Sequence, residues 1–141
     1  GSVPIGSEPA SVIVVDGAVF ATASQDARVV RVDARTLAIG ASVAVAPKPW
    51  ALAFDGAHVV VTHLLGASIT RLDPETLAVV DTIALPDVAP RGDKRLAHGV
   101  ARGLFDVAPR PGGHASADGD GDGDGELWIA HTLRAGDTPH A

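Results

Sequence analysis

"EPASVIVVDGAVFATASQDARVVRVDARTLAIGASVAV" spans residues 8 to 45, and "KPWALAFDGAHVVVTHLLGASITRLDPETLAVVDTIAL" spans residues 48 to 85. Laid over each other, the two stretches match at an offset of 40. Pro9 falls on Pro49. Arg31, Asp33, Thr36, Leu37 and Ala38 fall on Arg71, Asp73, Thr76, Leu77 and Ala78. Asp16-Gly17-Ala18 meets Asp55-Gly56-Ala57 with a slip of one residue that is recovered further on.

Each copy holds four short runs rich in β-branched residues, separated by turn residues. In the second copy the expected strands are 51–54, 58–62, 68–72 and 79–85. "DG" stands between the first two runs, where glycine supplies the positive φ of a tight hairpin turn. "DPET" stands between the third and fourth. There the Asp73 carboxylate can accept backbone N–H bonds, Pro74 presets φ and Thr76 closes the turn. "DART" does the same work in the first copy. No stretch of helical period competes with this pattern. Four strands in a repeat of roughly 40 to 50 residues is the period of a propeller blade. The expected fold is therefore all-β, built of β-propeller blades that are four-stranded antiparallel sheets.

A third copy begins with "RGLFDVAP" (102–109) as an innermost strand. It continues with "ELWIAHTL" (126–133), which overlays "HVVVTHLL" (58–65) as a second strand. The expected division is blade 1 at about 8–46, blade 2 at about 47–86, and an incomplete blade 3 at about 87–141. Two long insertions interrupt the third copy, at 86–101 and 110–125. "VPIG" (3–6) reads as the tail of a fourth strand from a preceding blade. The chain thus carries about two and a half blades, an incomplete propeller, whereas closed propellers hold about four to eight. The expected partners are another copy of the chain (a homo-oligomer) or the chain that carries the missing blades.

Composition narrows the function classes. The net charge is −6, and no Lys/Arg cluster with interleaved aromatics occurs, so no nucleic-acid partner is expected. No apolar run has the length of a membrane span. With no cysteine, the chain has no disulfide, thiolate nucleophile or covalent haem attachment of its own. No G-x-S-x-G, phosphate-binding Walker loop or H-E-x-x-H occurs.

The residues "EPASVIVVDGAVFATASQDARVVRVDARTLA" resemble the YVTN-type β-propeller repeat, with its Pro-led inner strand, DG turn and V-x-D-x-x-T hairpin. The second strand departs from that pattern as "VFATAS", "VVVTHL" and "LWIAHT". The resemblance covers 3–85 well and 102–133 loosely. "RGDKRLAHGVARGLFDVAPRPGG" followed by "ELWIAHTL" also resembles propeller segments beside c-type haem domains in bacterial extracytoplasmic proteins, although no C-x-x-C-H is present. The resemblance implies an extracytoplasmic setting and a scaffold or binding role more often than catalysis.

Two groups of residues are candidate sites. In "DGDGDGDGE" (118–126), Asp118, Asp120 and Asp122 take positions 1, 3 and 5 of a calcium-loop spacing, Gly123 position 6, and Asp124 and Glu126 positions 7 and 9. Ca²⁺ takes six to eight hard oxygen ligands, and alternating aspartates on a glycine-turned loop bring carboxylates together. Ca²⁺ is accordingly the candidate cofactor. Position 12 would be Ile129, so the full EF-hand pattern fails, and a solvated acidic turn is the other reading. His63 and His131 fall at equivalent places at the end of a second strand, and His98 lies within the first insertion. All three are candidate ligand-binding residues on one face near a central channel. The alternative is that each is a half-buried turn residue bonded to a backbone carbonyl. Trp50 and Trp128 read as packing between blades, and Asp33 and Asp73 as turn formers. The expected function is a non-catalytic propeller scaffold or binding module in a larger extracytoplasmic protein. The alternative is part of a propeller enzyme, lactonase-like or quinoprotein/haem-peroxidase-associated, with a site at the channel mouth.

Overall fold

The computed structural model describes residues 1–86, 100–109 and 127–134. It is all-β, with ten strands and no helix among the described residues. β1 (Pro9–Val15), β2 (Ala18–Ala23), β3 (Arg28–Asp33) and β4 (Ile39–Ala44) form one antiparallel sheet in sequential order. β5 (Pro49–Phe54), β6 (Val59–His63), β7 (Ser68–Leu72) and β8 (Val79–Ala84) form a second with the same order. β9 (Val100–Pro109) and β10 (Leu127–Arg134) pair antiparallel in a third. The first strands β1, β5 and β9 neighbour one another, so the sheets fan out from a common inner side like blades.

The repeat offset holds through β1 to β8. Phe54 pairs with Val59 as Val14 pairs with Val19, and the one-residue slip at "DG" is a change of turn. In blade 1 the pairing runs on to Val15–Ala18, leaving a two-residue turn with Asp16 at φ 46° and Gly17 at φ 77°. Two consecutive positive φ values are the mark of a type I′ hairpin. In blade 2 the turn is Asp55–His58. Gly56 has φ 105°, and Asp55 Oδ1 accepts the N–H groups of Ala57 at 2.8 Å and His58 at 2.6 Å.

The D-x-x-T turns are near copies. Asp33 Oδ1 accepts from Arg35 N–H, Thr36 N–H and Thr36 Oγ1 at 3.0, 2.6 and 2.8 Å. Asp73 Oδ1 accepts from Glu75 N–H, Thr76 N–H and Thr76 Oγ1 at 3.0, 2.7 and 2.8 Å. These bonds hold both carboxyls below the usual carboxylate value, with the Thr36 and Thr76 N–H bonds the largest cause. Asp33 and Asp73 are turn formers.

Strand alternation sorts the side chains into two joints. Val15, Ala18, Phe20 and Val29 of blade 1 meet Leu52, Val59, Val61, Leu72 and Leu77 of blade 2. From the opposite face of blade 2, Ala51, Ala53, Val60 and Ile69 meet Leu104 and Val107 of blade 3. β6 is buried at all five residues because it is covered on both faces, which is why "VVVTH" shows no polar alternation.

Three details depart from the sequence reading. Residues 3–6 join no strand; Val3 and Ile5 instead lie against the outer face of blade 1. β9 begins at Val100, two residues before the expected 102, so the first insertion is shorter by its last two residues. Trp50 packs half-buried in the second joint as expected, but Trp128 stands 57% exposed on the far face of blade 3.

Candidate functional site

Antiparallel order gives the fan two edges. One carries the DG and D-x-x-T turns, the end of β9 and the start of β10. The opposite edge carries the ends of β2, β6 and β10, the 45–48 linker and the start of β9. His63 closes β6 at this second edge, and His131 lies in the second half of β10. His98 and the acidic run Asp118, Asp120, Asp122, Asp124 and Glu126 lie outside the described residues. Among the described residues, no group of three or more His, Asp or Glu is placed to hold a metal ion.

His63 and His131 sit in different surroundings. His63 is fully buried, and its Nε2 is 2.9 Å from Thr70 Oγ1, a buried diagonal neighbour across the β6–β7 pair. Its Nδ1 makes no hydrogen bond of good geometry, although the Ala46 and Pro47 carbonyls of the inter-blade linker are near enough to favour its charged form. Burial outweighs them and pulls the imidazole below its ordinary value. His131 is exposed, with Nδ1 3.2 Å from the Thr132 carbonyl. It stands opposite a register shift in β9, where Gly103 takes φ 57°. A Cβ on Gly103 would lie 3.0 Å from Phe105 and 3.1 Å from Thr132, so both backbone shape and close approach favour glycine there.

A second pair of polar residues escaped the sequence reading. β1 and β5 each contain a bulge, between Pro9 and Val12 and between Pro49 and Leu52. A bulge leaves a residue out of the ladder. The N–H of Ser11 is satisfied by Thr22 Oγ1 at 2.9 Å, and that of Ala51 by Thr62 Oγ1 at 3.1 Å. Both threonines are fully buried. Their spacing of 40 residues was the available signal, because identical polar residues at equivalent buried positions mark a repeated bond.

Polar contacts also fasten the first joint. Leu52 N–H donates to Ser11 Oγ at 3.2 Å across the two sheets. Lys48 Nζ meets Glu8 Oε2 at 2.6 Å, an ion pair between repeat-equivalent positions. Within blade 2, Arg71 grips Asp81 with two bonds of 2.9 and 2.5 Å, and these hold the Asp81 carboxyl below its usual range. Blade 1 has Ala41 at the place of Asp81, and Arg31 Nε is buried there without a partner.

Solved structures with this arrangement are available. Hydrazine synthase of Kuenenia stuttgartiensis matches 73% of the chain at 20% identity and a TM-score of 0.58. Glutaminyl cyclase of Myxococcus xanthus matches 90% at 14% identity and 0.57. The dihydro-heme d1 dehydrogenase NirN matches 82% at 20% identity and 0.51. The fold is that of a β-propeller. The chain spans 26%, 52% and 21% of those three proteins, so it covers part of the length of each. At these identities the likeness shows the fold and carries no activity across. No protein-family model and no curated sequence matches the chain. No helix among the described residues is long and apolar enough to cross a membrane.

Proposed function

We propose that the chain is a non-catalytic propeller scaffold and binding module of a larger extracytoplasmic protein, built on YVTN-type repeats. The observation that carries this reading is the structural use of its polar side chains. The His63 ring bonds Thr70, the Thr22 and Thr62 hydroxyls satisfy bulges, and the Asp33 and Asp73 carboxylates hold turns. Groups spent in this way stiffen blades and position what the edges present. The division into blade 1 (8–46), blade 2 (47–86) and blade 3 (87–141) belongs to the same proposal.

In this reading the two edges have separate tasks. His131, exposed, and His98 face a ligand at one edge, and His63 lies buried beside the 45–48 linker. Asp118, Asp120, Asp122, Asp124 and Glu126 form a weak Ca²⁺ site at the other, in the range of roughly 10⁻⁴ to 10⁻³ M found for extracellular modules. A turnover assay on the full chain with lactone and ester substrates, with and without Ca²⁺ or Zn²⁺, tests the reading. The expected result is no hydrolysis above buffer. Metal-dependent hydrolysis that disappears in His131→Ala would replace the scaffold reading with the enzyme one.

A further inference from the structure

The face of blade 1 that points away from blade 2 has an occupied twin in the same chain. Blade 2 receives blade 1 through Leu52, Val59, Val61, Leu72 and Leu77, all buried in that joint. Forty residues earlier, the same face of blade 1 carries Val12, Val19, Ala21, Val32 and Leu37. All five line one groove of about 410 Å³, which Val3 and Ile5 border. Leu52 and Leu77 are 6% and 2% exposed, whereas Val12 and Leu37 are 63% and 43% exposed. The receiving surface is thus repeated in chemistry and incompletely covered.

The surface that mates with it is also visible. In the first joint Phe20, fully buried, is the large side chain that blade 1 sets into blade 2. Its equivalent in blade 2, Val60, is taken up by blade 3. The overlay of "ELWIAHTL" on "HVVVTHLL" puts Trp128 at the place of Val60, hence of Phe20. The register agrees. Leu127 and Ile129 turn toward blade 2, and Trp128 and Ala130 turn to the open side. Trp128 is 57% exposed there, an inserting side chain with no blade in front of it among the described residues.

We infer that the open groove of blade 1 is the receiving half of a blade joint, and that the Trp128 face of a second copy of this chain docks in it. The inference rests on the reading of the chain as a binding module, and it continues the joint already made twice within one copy. Receiving and inserting faces differ, so the contact is head to tail, and it closes into a ring or runs on according to the rotation at each joint. A large aromatic entering an aliphatic groove is the kind of anchor that dominates interface energetics.

Sedimentation equilibrium on the full chain at about 100 µM, well above the dissociation constant of an ordinary specific contact, is the test. The expected result is self-association. Trp128→Ala and Val12→Lys each alter an exposed side chain, so each variant keeps the strand signal in circular dichroism. Each alone is expected to weaken association by at least about 30-fold, the loss that an interface anchor carries. Mixed in equal amounts, they form a one-to-one pair and nothing larger. One variant retains a sound receiving face and the other a sound inserting face. A monomeric wild-type chain, single variants that still associate, or a mixture that stays apart would overturn the inference. None of these outcomes touches the turnover assay, so the scaffold reading stands or falls separately.

Discussion

Blades 1 and 2 are cut from one template, yet they differ in what covers them. Blade 2 lies between two neighbours, and its second strand is buried throughout. Blade 1 has a neighbour on one face and a shallow groove on the other, with Val12 and Val14 at 63% and 67% exposed. The D-x-x-T turns and the bulges are alike in both. Local bonds therefore shape a blade, and burial against the next blade supplies most of its hydrophobic stabilisation, as expected where stability is roughly a sum of repeat and neighbour terms.

The largest test of that contrast is apolar truncation at equivalent positions. Phe20→Ala, in the first joint, is expected to cost about 3–5 kcal/mol, and Leu52→Ala about 2–5 kcal/mol, because each leaves a cavity in packed surroundings. Val12→Ala, the equivalent of Leu52 on the open face, should stay within about 0.5 kcal/mol. Urea unfolding of the three variants measures the difference. Measured in dilute solution, where copies are apart, equal losses at Leu52 and Val12 would mean that the open face is covered within a single copy.

The buried threonines reverse the comparison, since here the two blades should respond alike. Thr22→Val and Thr62→Val keep the volume and remove the acceptor, leaving unpaired the N–H of Ser11, which is part-buried, or of Ala51, which is buried. A loss of about 1–3 kcal/mol is expected in each, the cost of one unsatisfied buried donor. A loss in only one blade would show that a water molecule fills the other bulge.

These two sets of residues also show what the sequence made legible. The offset of 40 and the D-x-x-T and DG turns predicted the blades, because turn chemistry depends on neighbours in sequence. Which face receives and which inserts was not readable, because alternating Val and Ala look the same on either face of a strand. Trp128 shows the difficulty. A large aromatic on a second strand reads as core, and only the sheet order reveals that no blade stands before it among the described residues. His63 is similar: its place at a strand end was legible, and its burial under the linker was not.

Acid should act on blade 2 first, through His63, whose counterpart in blade 1 is Ala23. Burial lowers the folded pKa of His63 below the ordinary 6.5. Below pH 6.5 the unfolded chain therefore binds a proton that the folded chain refuses. Stability falls with pH through that window, by at most about 1.4 kcal/mol per unit for one proton. Asp33, Asp73 and Asp81 have carboxyls held below the ordinary 3.8, so their contribution is present above that value and is lost only as pH drops beneath it. Melting curves from pH 7 to 5 should show a decline that His63→Gln removes. A decline unchanged in that variant would assign it to other groups.

The smallest effect expected is at the DG turns, where the two blades part ways locally. In blade 1 Asp16 itself takes a positive φ of 46°. Asparagine is the favoured first residue of a type I′ turn, so Asp16→Asn should leave the fold unchanged and raise stability by a few tenths of a kcal/mol. In blade 2 Asp55 has no such backbone demand, and its Oδ1 instead accepts two N–H groups of its own turn. Asp55→Ala removes both bonds and should cost about 1 kcal/mol. The same aspartate thus serves by backbone shape in one blade and by its carboxylate in the other. Asp16→Gly, which keeps the positive φ and removes the carboxylate, and Asp55→Ala compared in one urea series decide the matter. A larger loss at Asp16 than at Asp55 would mean that the blade 1 turn depends on its carboxylate after all, and that the two turns are of one kind.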